Sequence, residues 1–343
     1  MRALRYTIAA ILLLPAWAYA HVKWFSRFSY QDRPLTIGEI TTPTFWALAL
    51  LSVVTISGLV FVDKWLRATA WGHRLEEWLS SYRDQSMVVL RVGLGATMLL
   101  AWQADTLLAP ELPIGHDVLG WAQFVVVLLL LIPHTVPIAG ALLGALWLYA
   151  ALEHGLFHLL DYTFYLGFAI ALGLSRAGAR TRALGLPVLY ATVGFSLMWV
   201  ALEKLVYPEW ALYVLSQHPS LAMGLPLDFF LVGAAFVELA LGHLLLLGML
   251  GRTLALTITL VFLTTTSVFG GKVEITGHTP VHAALIVFLI EGAGQAYRPP
   301  FLIPKTLGRR ALLSGVSFAL LLGVLLFAYH AGAMHLYQLA VTH

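Results

Sequence analysis

The chain contains no cysteine. This excludes disulfides, thiolate metal centres and a thiol nucleophile, and a bound transition metal must then rely on imidazole and carboxylate. Charge is scarce as well: 11% of the 343 residues are charged, against 60% that are hydrophobic. No phosphate-binding glycine loop, nucleophile elbow or aromatic-interleaved basic patch is present, so the sequence offers no nucleotide, serine-hydrolase or nucleic-acid site. Apolar runs fill the space instead. With a mean hydropathy of +0.84, the composition is that of a polytopic helical membrane protein.

A span needs about 20 mainly apolar residues. Ten candidates follow: Thr44–Val62, Met87–Leu107, Val118–Ile132, Val136–Leu152, Leu156–Leu174, Val188–Val206, Leu227–Gly248, Thr253–Phe269, Pro280–Gly292 and Ala311–Ala331. The expected fold is all-α, with residues 43–66 as the first span, 67–86 as an interfacial helix, and 87–175 and 187–294 as two four-helix units. Residues 311–331 form the last span and 332–343 a tail. Trp71, Leu75, Trp78 and Leu79 lie at helical spacing in the interfacial segment, a pattern suited to the inner membrane surface.

The first 20 residues read as a cleaved secretory signal, with Arg2 and Arg5 ahead of an apolar stretch and Ala18-Tyr19-Ala20 at its end. Cleavage there makes His21 the mature N-terminus of an arm over residues 21–42. Its free amine and one ring nitrogen can chelate an ion such as copper. Lys64, Arg67, Arg74 and Arg83, then Arg176, Arg180 and Arg182, then Arg252, and finally Arg298, Lys305, Arg309 and Arg310 all fall between spans on one side. The positive-inside rule makes that side cytoplasmic. The localisation expected is a bacterial inner membrane, with both termini periplasmic after cleavage and the lipid bilayer as the surrounding partner.

On this topology ten of the thirteen histidines fall at or near the outer face. Two pairs stand out, His154 with His158 and His278 with His282, each spaced i, i+4 at the outer start of a span. On one helix that spacing puts both rings on one face, as in two-histidine metal helices. Thr279-Pro280 reads as an N-cap and first helical residue, which leaves His278 just outside its helix. Glu153 and Asp161 lie near the first pair and Glu274 near the second, as candidate supporting groups. The arm is long enough to reach either pair, at roughly 3.3 Å per residue.

The histidine pairs open the fifth and ninth spans, which suggests that spans two to five and six to nine form a parallel repeat. Val92-Gly93 and Val193-Gly194 fit that register. The second unit resembles the DoxX-type membrane module: Val193-Gly194 opens a span, Glu203-Lys204-Leu205 closes it, Glu238 follows in the next span, and the run from Leu245 to Arg252 comes after, with Ala255 beyond. The resemblance covers Val188 to Gly294 well and Met87 to Leu174 faintly. It implies the four-helix fold and a lean towards quinone-linked or sulfur-compound redox physiology.

Glu238 sits mid-span, where an ionised carboxylate costs at least about 2.5 to 3.5 kcal/mol. Lys204 is its candidate partner, though it lies nearer the outer end and can snorkel away. His243 is about 140° round the same helix and faces elsewhere. These residues together predict an outward-facing copper site from His21, His154, His158, His278 and His282, in copper handling or quinone-linked redox with a periplasmic metal or electron carrier. Haem b held between histidines of the fifth and ninth spans, or a bound quinone, is the alternative cofactor. A metal-free structural or assembly protein, or a proton-coupled transporter using Glu238, are the alternative functions.

Overall fold

The computed structural model of the chain describes residues 22–269, 271–292 and 306–342; the side chains at 265, 267 and 268 are not described. His21 and the expected signal lie outside these residues. Among the described residues there is no strand, only one isolated bridge between Thr106 and Pro113.

Thirteen helices carry the architecture: α1 Pro43–Ala68, α2 Ala70–Ser80, α3 Ser86–Gln103, α4 Asp117–Leu131, α5 Val136–His154, α6 Leu156–Leu159, α7 Phe164–Gly173, α8 Gly185–Val206, α9 Pro208–Gln217, α10 Leu227–Leu246, α11 Gly251–Phe269, α12 Gly271–Glu291 and α13 Leu307–Thr342. Their limits follow local chemistry. Thr42 accepts from the Phe45 amide at 3.2 Å, with Pro43 at the first helical position. Thr69 stops α1 and caps α2 through the Gly72 amide at 3.0 Å. Trp71 and Trp78 of α2 point outward, in keeping with an interfacial helix.

Seven of the described helices are long and apolar enough to cross a membrane, and the chain is a polytopic helical membrane protein. Counting the bent pair of α6 with its following turn and α7 as one span makes eight. The expected third and eighth spans correspond to apolar helices that are shorter, Asp117–Leu131 and Gly251–Thr264. At 1.5 Å per residue, a 15-residue helix reaches only about 22 Å of a hydrocarbon core about 30 Å thick.

The packing order closes on itself. Helix α3 packs on α4, α4 on α5, α5 on α7, α7 on α8, α8 on α10, α10 on α11, α11 on α12, and α12 returns to α3. Helices α1 and α13 lie together outside this ring, against α10 and α8. Small residues permit the closest approaches. A Cβ at Gly194 would sit 2.6 Å from the Gly242 carbonyl, and one at Gly93 would meet Ala283 of α12. The two Val-Gly pairs therefore make non-equivalent contacts, Gly194 with α10 and Gly93 with α12.

Arg67 and Arg252 meet at one end of the bundle. Arg252 donates to the carbonyls of Leu289 and Ile290, each at 2.7 Å, and to Ser80 at 3.1 Å, and pairs closely with Glu76. Asp63 accepts from Arg67 and from the Leu250 amide at 3.1 Å. Helix α2 is thereby pinned beneath the bundle, across the ends of α1, α11 and α12.

Candidate functional site

The site lies at the opposite end of the bundle, and it begins with the arm. Val22 and Lys23 are buried, and Leu35 donates its amide to the Val206 carbonyl at 2.9 Å. A lone buried lysine is prohibitive, so its partners decide whether the arm can enter. Lys23 Nζ lies 2.6 Å from Asp161 Oδ2 and 2.8 Å from Glu203 Oε2. Burial alone would lower the lysine pKa, but Asp161 and Glu203 overcome it and hold the ammonium well above its usual range. Beside it, burial pushes the Tyr30 hydroxyl up to about 12.

Trp24, the next residue, crosses to the far side. Its indole donates to Tyr162 Oη at 2.9 Å, and its ring centroid lies 5.0 Å from that of His278. A Cβ at Gly277 would fall 1.9 Å from the Trp24 ring, so the seat exists because that residue has no side chain. The arm therefore docks onto α12.

The fifth span is broken, which corrects the expectation of one helix carrying both histidines of the first pair. Gly155, at φ 87°, ends α5 at His154, and α6 begins at Leu156. His154 and His158 consequently sit on different helices. A bend of 66° follows at Thr163, where Ser196 Oγ accepts from the buried Phe164 amide at 3.1 Å. Unwound backbone inside a membrane protein is tolerated when protein groups satisfy it. The break turns His158, Asp161 and Tyr162 inward.

Asp161 serves Lys23 rather than the histidines, and Glu153 is exposed. The acid beside His158 is Glu111, at 3.1 Å from Nε2, and Tyr162 Oη donates to the same carboxylate in a close contact. Glu111 arrives on the loop between α3 and α4, whose Leu107, Leu108, Ala109 and Leu112 are buried like core residues. Tyr165 holds that loop through the Leu108 carbonyl at 2.6 Å.

The second pair is also corrected. Helix α12 starts at Gly271 and runs through Pro280, so His278 is helical and Thr279 is no cap. Proline lacks only its own N–H, and one missing bond is tolerated where neighbouring helices support the segment. Glu274, His278 and His282 then follow one helix face at i, i+4 and i+8. Glu274 is buried in a close pair with His278 Nδ1, and the two histidine ring centroids are 6.4 Å apart. Phe262 stacks on His278 at 4.6 Å.

Lys204 does not snorkel. It is buried, with Nζ 2.8 Å from Glu238 Oε2. His243 faces elsewhere, against the Ser314 carbonyl and Ser317. Between these groups lies a cavity of about 50 Å³, lined by Trp24, Asp161, Tyr162, Ser196, Glu238 and His278 together with apolar residues. That volume holds a water or a few.

Among the described residues no three histidines and carboxylates are gathered as ready metal ligands. What is gathered is charge. Asp161, Glu203, Glu238 and Glu274 are buried and the Glu111 side chain nearly so, against Lys23 and Lys204.

Sequence reasoning missed Lys23, Trp24, Glu111, Tyr162 and Glu203 as site residues. The available signal was the placing of Asp161, Glu203, Glu238 and Glu274 in or beside apolar spans, where each carboxylate needs a partner. Searches of family models, curated proteins and solved structures found no match to this chain.

Proposed function

We propose that this is a bacterial inner-membrane protein of ten spans, built as two DoxX-like four-helix units in parallel repeat, whose arm completes an outward-facing copper site. The mature amine and ring of His21 join His278 and His282, with Glu274 behind His278. The observation that carries this reading is the docking of Trp24, three residues after His21, onto His278. Imidazole with amine suits copper. His158 is engaged by Glu111, and His154 stands across the Gly155 break, so neither belongs to the centre proposed. The ring order supports the repeat, since α7 meets α8 as α12 meets α3. The site serves copper handling or a redox step with a membrane quinone.

Copper titration of the signal-processed protein tests it. Wild type is expected to bind one ion, more weakly as pH falls because amine and imidazole must lose protons first. His21→Ala and the double variant His278→Ala with His282→Ala are each expected to lose most of that affinity. Equal binding by all three proteins, or none above background, rejects the metal site and favours a metal-free assembly protein.

A second reading rests on the Lys204–Glu238 pair bordering the cavity with Asp161 and His278: a proton-coupled transport step through Glu238. It is favoured if Glu238→Gln abolishes a proton-linked flux while leaving copper binding intact.

A further inference from the structure

At the inner end, a recess of about 260 Å³ opens between the end of α1, helix α2 and the turn from α10 to α11. Asp63, Arg67, His73, Glu76 and Arg252 line it, with Leu66 and Leu75 as apolar wall. Three features point to its guest. The recess lies at headgroup depth, because Trp65, Trp71 and Trp78 on its two bordering helices are exposed, 47 to 64%, and tryptophan concentrates at the membrane–water interface. Its lining is charged but balanced, two arginines against two carboxylates. Arg67 is half exposed and spends only Nε on Asp63 in the described bonds, which leaves the two terminal nitrogens of its fork for an incoming oxyanion. Arg252, by contrast, is consumed by α12 carbonyls and Glu76.

We propose that this recess binds the headgroup of a zwitterionic phospholipid of the phosphatidylethanolamine class. The phosphodiester lies on the Arg67 fork, the ammonium meets the open edge of Glu76, whose side chain is 44% exposed and also pairs with Arg252 and, at 3.4 Å, with Arg83, and the glycerol end lies against Leu66 and Leu75. A single-sign lining would select an anionic lipid; a balanced one selects a headgroup that carries both charges.

Native mass spectrometry of the full chain, released from nanodiscs of equal phosphatidylethanolamine and phosphatidylglycerol, reads the retained lipid. Wild type is expected to keep phosphatidylethanolamine about fivefold over phosphatidylglycerol, the effect of one partly exposed charge contact. Arg67→Gln is expected to reduce retention of both lipids, and Glu76→Gln to erase the preference between them. Lys64→Gln, exposed and outside the recess, changes neither. Soluble glycerophosphoethanolamine at millimolar concentration should not displace the lipid; if it does, the site takes a free phosphate ester and the lipid assignment falls. Retention unchanged in Arg67→Gln, or phosphatidylglycerol kept as well as phosphatidylethanolamine by the wild type, overturns the proposal. A melting curve of each variant separates lost binding from lost fold.

Discussion

At the end of the bundle that α2 closes, the buried guanidinium of Arg252 meets mostly dipoles: two carbonyls at the C-terminus of α12 and the Ser80 hydroxyl, with Glu76 as its charged partner. At the end that the arm closes, the order is reversed. Carboxylates are buried there, and Lys23, which pairs with two of them, comes from outside the spans, on the arm. The charge of Arg252 is thus satisfied by the helices that enclose it, at the negative end of a helix dipole. The charge of Asp161 and Glu203 depends on a segment brought in. Losing the local partner frays one helix end; losing the imported one leaves two acids buried together.

That difference can be broken most forcefully at Lys23. Lys23→Ala leaves Asp161 and Glu203 buried without their ammonium, a loss expected to cost about 3–5 kcal/mol. The melting temperature should fall and the arm should become cleavable by protease. Adding Asp161→Asn and Glu203→Gln to Lys23→Met should recover most of the loss; a triple variant as unstable as Lys23→Ala would show that charge is not the cause.

Arg252→Ala should cost less, about 1.5–3 kcal/mol, the range for hydrogen bonds from a charged donor. Its mark is loosened α2 and α12 ends in hydrogen exchange, with protease resistance of the arm unchanged. An arm released by this variant would mean that the two ends are coupled.

Gly277→Ala tests the Trp24 seat alone. The added methyl overlaps the indole, and about 1–3 kcal/mol is expected for such overpacking. Trp24 emission should shift red, whereas Gly58→Ala, where nothing lies within 4 Å, should leave the protein unchanged.

The smallest effect is on alkaline pH. Lys23 and Tyr30 both titrate higher in the folded protein than in the unfolded chain. The unfolded chain therefore loses these protons first, and the stability they contribute is whole below about pH 10. It should decline above that pH, reaching the Tyr30 limit at about 12. Arm protection against protease should accordingly hold at neutral pH and fail above pH 10. Earlier failure would place the titrating group elsewhere.

The spans were legible because hydrocarbon demands long apolar runs, and α1 matches its expected limits to within a few residues at each end. The breaks were not. Gly155 falls between the expected fourth and fifth spans, but the i, i+4 spacing of His154 and His158 does not show that its positive-φ backbone puts them on separate helices. Thr279-Pro280 carried a real local capping preference, which tertiary packing of Glu274 and His278 overrode. Lys204 with Glu238 was readable as a pair because both lie in neighbouring spans. Glu111 was hidden in a loop between spans, and only the buried leucines around it bring it inside.

The seat of Trp24 also sets an order of assembly. Lys23 waits for Asp161, 138 residues later, and Trp24 for His278, more than 250 residues later. During synthesis the arm is made long before α12 and has no complete berth until α12 is in place. Contacts of such separation are slow to form, because the intervening chain must be closed before they repay its entropy. The arm, though made early, is therefore among the last segments to find its place, and it closes one end of the finished bundle.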